Sequence, residues 1–367
     1  MHQALRATVL DFDPEVPIER ASTPPATWYT DPDLAALERR AVWDRTWRLA
    51  ARAEQVATPG AFVAVDLGDR PIVLVRGEDG TLRALHNVCR HKAAVVCEGA
   101  GTASELVCPY HGWAYHLDGR LKRAPRLAGI RDLDRDAMAL PALRVATWGP
   151  WVFVNADPLA PPLAPELEPL EEPLAGLEGA DLRFRGEATW RVACNWKVFC
   201  DNYLDGGYHV PHLHPGLGAQ LDLDSYRTTL FERCSLQAAG ASAPGAARIG
   251  SGAVYAFVYP DLMINRYGPV LDVNLVRPDG PERCVVTFWW WFDAGCDEDF
   301  VADSIASSRR TQEEDVAVSE RVQRGLRSGA WERGRYAPAL EMGIHHFHRL
   351  LAADLRGALA PTRPSSR

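Results

Sequence analysis

Residues 195–214 read NWKVFCDNYLDGGYHVPHLH, and the rest of the chain is organised around that stretch. Asp205 and His209 stand four apart, the spacing that brings two side chains to one face of a helix. His214 follows after Val210-Pro211-His212-Leu213, and Pro211 interrupts regular helix there without keeping the two imidazoles apart. Two neutral imidazoles and one carboxylate, with the remaining positions open, are the ligand set that activates dioxygen at ferrous iron. The competing reading is scattered histidines beside a polar pocket, and the spacing leaves room for a third ligand from elsewhere in the chain.

The whole chain narrows the classes. Its 367 residues suggest about two domains and a substantial core. A net charge of -8 gives no support for nucleic acid or an anionic membrane as partner. No apolar run approaches the roughly 18 residues of a membrane span. The first residues carry His2, Arg6, Asp11, Asp13 and Glu15 and lack the apolar core of a signal peptide, which predicts a cytoplasmic protein. Eight unevenly spaced cysteines read as core thiols or metal ligands rather than as a disulfide framework.

Taken in order, residues 1–30 read as an extended lead, punctuated by Pro14, Pro17, Pro24 and Pro25. A helix follows, with Thr30 or Asp31 as its cap, Pro32 in its first turn, and Leu34, Leu37, Ala41 and Val42 on one face. From Ala61 the period changes. Phe62–Val65, Ile72–Val75 and Leu82–Leu85 are short strands parted by Gly68-Asp69 and Asp79-Gly80 turns, and strands continue to Val154.

Inside this β unit lie Cys89-x-His91 and Cys108-x-x-His111. Two thiolates and two imidazoles in paired turns point to a metal site, either structural zinc or a two-iron Rieske cluster. The order Cys, His, Cys, His favours the cluster, with Cys89 and Cys108 on one iron and His91 and His111 on the other. Tyr110, Gly112 and Trp113 flank the second pair as packing and hydrogen-bonding groups.

At this point the chain resembles the Rieske non-haem iron oxygenases, the aromatic-ring-hydroxylating dioxygenase alpha-subunit family. VCRHKAAVV, CPYHGWAYHLDG and NWKVFCDNYLDGGYHVPHLH carry the likeness. AFVYPDLMINRYGP at 256–269 and VQRGLRSGAWERGRYAP followed by HHFH are similar to choline monooxygenase-like members. The resemblance implies an α+β fold: an all-β Rieske domain plus a helix-grip (START-like) catalytic domain whose antiparallel sheet wraps a long C-terminal helix. The expected boundaries are 1–44 for an N-terminal lead and helix packing on the catalytic domain, 45–158 for the Rieske domain, 159–180 for a connector, and 181–367 for the catalytic domain. The long helix is expected from about Phe300 to Leu326.

Gln312-Glu313-Glu314-Asp315, with Glu320 beyond, resembles the family segment that supplies the carboxylate ligand, and the match falls on Asp315. By spacing alone any of these acids, or none of them, is a candidate. The implied iron set is His209, His214 and Asp315, with Glu313 and Glu314 as helix-surface neighbours. His345, His346 and His348 are then assigned supporting or packing roles, and His212 and His116 likewise. Asp205 is the candidate for the acid that bridges the two metal sites through histidines between subunits of a homotrimer. It stands four before His209, whereas many relatives carry the acid three before, where this chain has Gly206.

The cofactors implied are a [2Fe-2S] Rieske cluster and mononuclear Fe(II). No Gly-x-Gly-x-x-Gly follows a strand, and Gly99-Ala100-Gly101 lacks the third glycine, so electrons are expected from a separate flavin or iron-sulfur reductase or a ferredoxin. The expected function is monooxygenation of a small substrate with O2, by hydroxylation or N-demethylation of a quaternary ammonium compound of choline or betaine type. Aromatic ring hydroxylation is the alternative within enzymes, with a pocket that needs no cation-binding face. A Rieske electron-transfer protein without catalysis is the alternative outside them, and it leaves the second half of the chain unexplained. Tyr203, Tyr267 and Trp290 are the first candidates for substrate contact, from a wider set with Tyr208, Phe257, Tyr259 and Phe288; two or three of these are expected to line the site and the rest to fill the core. Val270 stands where choline monooxygenases commonly have tryptophan, which leaves choline and larger betaines equally open.

Overall fold

Strand-forming residues and tight glycine turns build residues 44–163 into one unit, and residues 1–43 with 164–367 form a second. The computed structural model describes residues 2–175, 181–242 and 248–360, so the end of the expected connector, 176–180, lies outside the described residues. In the first unit the expected strands are Ala61–Leu67, Arg70–Arg76 and Leu82–His86. Leu67 pairs with Arg70 across a two-residue turn, where Gly68 at φ +68° takes the left-handed backbone that side chains resist. The strands join a seven-stranded antiparallel sheet that also contains Arg48–Arg52, Trp151–Asn155, Ala142–Trp148 and Ala100–Thr102. A three-stranded sheet of Leu106–Val107, Ala114–Tyr115 and Leu121–Arg123 stands beside it in sequence.

The second unit is a seven-stranded antiparallel sheet in the order Leu182–Val192, Cys284–Asp293, Val270–Pro278, Leu262–Tyr267, Gly252–Val258, Cys234–Ala241, Leu221–Leu230. Period-two alternation sorts its aromatic strand. Phe288, Trp290 and Phe292 enter the core, while Trp291 packs on Phe184 at 5.5 Å from the other face. The long helix runs Glu298–Arg327, about 45 Å by its rise per residue, with Asp297 capping the Phe300 N–H and arginines in its last turn. Trp290 donates its indole N–H to Ser308 Oγ at 3.1 Å and so ties sheet to helix. A further helix, Met342–Leu359, buries Ile344, Phe347, Leu351 and Leu355. No helix among the described residues is long and apolar enough to cross a membrane.

Two expectations need correcting. The lead is not extended throughout: His2–Leu10 is a helix, and Leu5, Val9 and Phe12 enter the core of the second unit. Leu5 and Val9 are four apart, a pattern outweighed in the sequence reading by the prolines that follow. The motif helix spans Trp196–Tyr203 and ends before Asp205 and His209, so their four-residue spacing is not a helical one. Asn195 caps it by accepting the Lys197 N–H, and Lys197 Nζ lies 2.6 Å from Glu38 Oε1 with both side chains buried. After Tyr203 the chain turns through Gly206 and Gly207 at φ +71° and +77°, then makes the short helices Val210–Leu213 and Pro215–Gly218.

Candidate metal centres

Asp205 and His209 meet, though not on a helix face. The Asp205 carboxylate closes the glycine turn by accepting the backbone N–H groups of Tyr208 at 3.1 Å and His209 at 2.9 Å. Its Oδ2 also lies 2.7 Å from His209 Nδ1. A side chain at position 206 would run into the carbonyl of Leu340, which explains why the acid cannot stand three before the histidine in this chain. His214 comes from the end of the next short helix, and its ring centroid lies 5.0 Å from that of His209. The long helix supplies Asp315, whose Oδ1 is 3.0 Å from His214 Nε2 and 4.0 Å from His209 Nε2. The three ligand atoms lie within 4.8 Å of one another.

This arrangement fits one metal ion. Bonds of about 2.1 Å at right angles set ligand atoms about 3 Å apart, near the closest pair here. Each imidazole turns Nδ1 to a carboxylate, Asp205 for His209 and Glu314 for His214 at 2.6 Å, which leaves Nε2 of each directed to the common point. Burial works to lower the pKa of His214, but Asp315 and Glu314 outweigh it and hold that pKa above its ordinary value. A pocket that favours positive charge on a buried imidazole also favours a divalent cation. Asn202 donates to Asp315 Oδ1 at 2.7 Å and fixes the carboxylate.

Sequence reasoning took Glu314 for a surface neighbour and did not single out Asn202. Asn202 lies one residue beyond Asp201 in the motif itself, and Glu314 was already named beside Asp315. That Glu314 faces His214 and Asn202 faces Asp315 depends on contacts across 100 and 113 residues of chain.

In the first unit, Cys89 and His91 lie in the loop after Leu82–His86, and Cys108 and His111 lie between Leu106–Val107 and Ala114–Tyr115. Both thiols are buried. The two imidazoles stand edge to face at 4.7 Å, and His91 stacks on Trp113 at 4.9 Å. His91 Nδ1 is buried with no hydrogen-bond partner, as expected of an atom that binds metal rather than protein. Tyr115 OH lies 3.2 Å from Cys89 Sγ and accepts the Arg90 N–H at 3.0 Å. The donor set of two buried sulfurs and two imidazoles suits a [2Fe-2S] cluster.

A cavity of about 130 Å³ opens beside His209, His214 and Asp315. Tyr203, Tyr267 and Phe288 line it, together with Phe199, Tyr226 and Tyr255, which sequence reasoning did not name. Tyr255 is two residues before Phe257 on the same strand, so alternation alone would have paired them. Trp290 is absent from the wall, its indole being committed to Ser308, and Phe257 and Tyr259 pack on Phe347 in the core. Tyr208 is exposed. The floor is a closed polar network: Tyr203 OH donates to Asn265, Asn265 and Tyr267 donate to Asp272, and Arg248 donates to Tyr267 OH. Burial pushes Asp272 above the usual carboxylate range.

The C-terminal histidines are elsewhere. Nδ1 of His348 is 2.8 Å from Tyr336 OH, and its Nε2 is 3.0 Å from Asp201 and 3.1 Å from Tyr29 OH. His345 and His346 each bury an Nε2 without a partner, and neither joins the three converging ligands. His116 and His212 do not join them either.

Residues 46–135 match the Rieske [2Fe-2S] domain, and residues 179–357 match the ring hydroxylating alpha subunit catalytic domain. The chain is 44% identical to the chloroplastic choline monooxygenase of Arabidopsis thaliana over 95% of its own length and 86% of that protein. It is 30% identical to the carnitine monooxygenase oxygenase subunit of Escherichia coli K12, over 91% of this chain and 94% of that one. Among solved structures it is similar to the quaternary ammonium Rieske monooxygenase CntA in complex with L-carnitine, at 27% identity and a TM-score of 0.81, covering 93% of this chain and 97% of that one. With two domain matches in the order of its two metal-ligand motifs, and relatives aligned over nearly its full length, the chain belongs to the Rieske non-haem iron monooxygenases, which join a Rieske [2Fe-2S] domain to a mononuclear-iron catalytic domain.

Proposed function

We propose that this chain is the oxygenase component that monooxygenates a small quaternary ammonium compound of choline or betaine type. The observation that carries this reading is the cavity beside His209, His214 and Asp315, walled by six aromatic side chains and holding the buried Asp272. A quaternary ammonium donates no hydrogen bond, so ring faces and carboxylates are the groups that hold it, each ring contributing about 0.5–2 kcal/mol. Relatives that act on choline and carnitine support the same class.

Cys89 and Cys108 would hold one iron of the cluster and His91 and His111 the other; His209, His214 and Asp315 would hold the mononuclear iron. When bound, the two groups supply one-electron relay and dioxygen activation. The overall change converts C–H to C–OH: one oxygen atom of O2 enters the product, and the other leaves as water with two protons and two electrons. Hydroxylation at an N-methyl carbon releases formaldehyde, whereas hydroxylation at a carbinol carbon gives an aldehyde hydrate. Asp205 keeps the His209 Nδ1 proton in place and is our candidate for the bridge to a neighbouring subunit in a homotrimer. The electrons come from a separate flavin or iron-sulfur reductase or a ferredoxin, and the protein is assigned to the cytoplasm.

The test is oxygen uptake by the holoenzyme with a surrogate reductase. Uptake should rise with a trimethylammonium or dimethylammonium compound and not with its uncharged carbon isostere. Better coupling with the isostere or a simple arene would replace this reading with alkyl or ring oxygenation.

A further inference from the structure

Gln312 lies one helical turn before Asp315 on the inner face of the long helix and lines the same cavity. Its side chain is 1% exposed, yet neither Oε1 nor Nε2 has a hydrogen-bond partner. A buried amide left in that state carries an uncompensated desolvation cost that leucine or methionine would not carry. The other buried glutamine of this helix face shows the usual outcome. Gln323 accepts the Asn195 N–H at 2.9 Å and donates to Glu282 at 3.2 Å, satisfied at both ends by protein.

Five polar neighbours in the cavity are committed to one another. Tyr203, Asn265, Tyr267, Asn274 and Asp272 are hydrogen-bonded within one network. Arg248 uses two of its nitrogens on Ser307 and Tyr267, leaving Nε unpaired. Gln312 therefore brings an uncommitted donor and an uncommitted acceptor together, one turn from the metal-ligand carboxylate.

We propose that Gln312 is a substrate-binding residue that grips an alcohol on the substrate and makes this enzyme select a quaternary amino alcohol over a betaine. The inference rests on the quaternary ammonium reading above. A hydroxyl both donates and accepts, so it matches both halves of the amide. A carboxylate accepts only: it leaves Oε1 unpaired and brings a second negative charge toward Asp315. The ammonium end cannot pair with the amide at all, which leaves the hydroxyl arm as the group Gln312 reads.

The test is calorimetric binding to the anaerobic holoenzyme of choline, propyltrimethylammonium, in which a methyl replaces the hydroxyl, and glycine betaine. Choline should bind about 10–100-fold more tightly than the propyl compound, because a site built for a hydroxyl rejects the analogue that lacks it. Gln312→Met keeps the length and removes the amide. It should weaken choline about tenfold while changing the propyl compound less than about twofold. The proposal is overturned if wild-type enzyme binds the propyl compound as tightly as choline, or if the variant loses both equally, which is the mark of a packing role. It is also overturned if glycine betaine binds more tightly than choline, since the free Nε of Arg248 would then be the anchor. Should the variant fail to fold, the wild-type series decides alone. If none of the three compounds binds, the quaternary ammonium reading itself falls, an outcome distinct from binding without hydroxyl preference.

Discussion

Asp205 Oδ2 lies 2.7 Å from His209 Nδ1 and 2.9 Å from the His209 backbone N–H, so one carboxylate sets both the ring and the turn that carries it. Asn at this position retains an oxygen acceptor for the turn and loses the charge that holds the imidazole proton. Asp205→Asn should keep both metals and slow electron transfer from the cluster to the mononuclear iron by about 10–100-fold. Single-turnover reoxidation of the reduced cluster measures it, and a wild-type rate would assign the bridge to another residue.

His209→Ala, His214→Ala and Asp315→Ala should each abolish mononuclear iron binding and leave the cluster's colour, because the two sets of ligands belong to separate units. Glu314→Gln and Asn202→Ala disturb only the groups that orient His214 and Asp315, and should weaken iron about 10-fold or more without abolishing it. Metal analysis with visible spectra checks this. Full turnover in any of the three alanine variants contradicts the ligand set.

Tyr115 OH lies 3.2 Å from Cys89 Sγ, and burial first, then Cys89, raises its pKa so that it remains a proton donor. A donor on a thiolate ligand favours the more negative, reduced cluster. Tyr115→Phe should lower the reduction potential by tens of millivolts, on a scale where about 59 mV is a tenfold change for one electron. Protein-film voltammetry reads this directly, and an unchanged potential would separate the hydroxyl from the cluster.

His345 is buried with Nε2 unpaired, and burial first, then Arg349, His348 and His346, pushes its pKa down to about 4. An unfolded imidazole titrates near 6.5, so between about pH 6.5 and 4 the unfolded chain binds more protons than the folded one. Stability from this group is complete above that window and is lost as pH falls through it, by at most about 3 kcal/mol. His345→Leu should remove this part of the acid slope in urea melts between pH 7.5 and 4.5. An unaltered slope would assign the acid sensitivity to other groups.

The sequence by itself determined the chemistry that short stretches carry. Cys89, His91, Cys108 and His111 stand out as candidate ligands because residues in paired turns are close in sequence, and His209 and His214 do so for the same reason. Strand and turn patterns from Ala61 to Leu85 were also legible, since period and glycine placement act over a few residues. Tertiary structure decided what depends on distant segments meeting. Spacing could not choose among Glu313, Glu314 and Asp315; the choice follows from which face of the long helix turns to His214, 101 residues away. The place of the acid at 205 depends on the Leu340 carbonyl against Gly206, a steric clash without trace in a local window. Which aromatics wall the cavity and which fill the core, and that Gln312 is buried with nothing to bind, exist only once sheet and helix are packed, because burial is a property of neighbours and not of the residue.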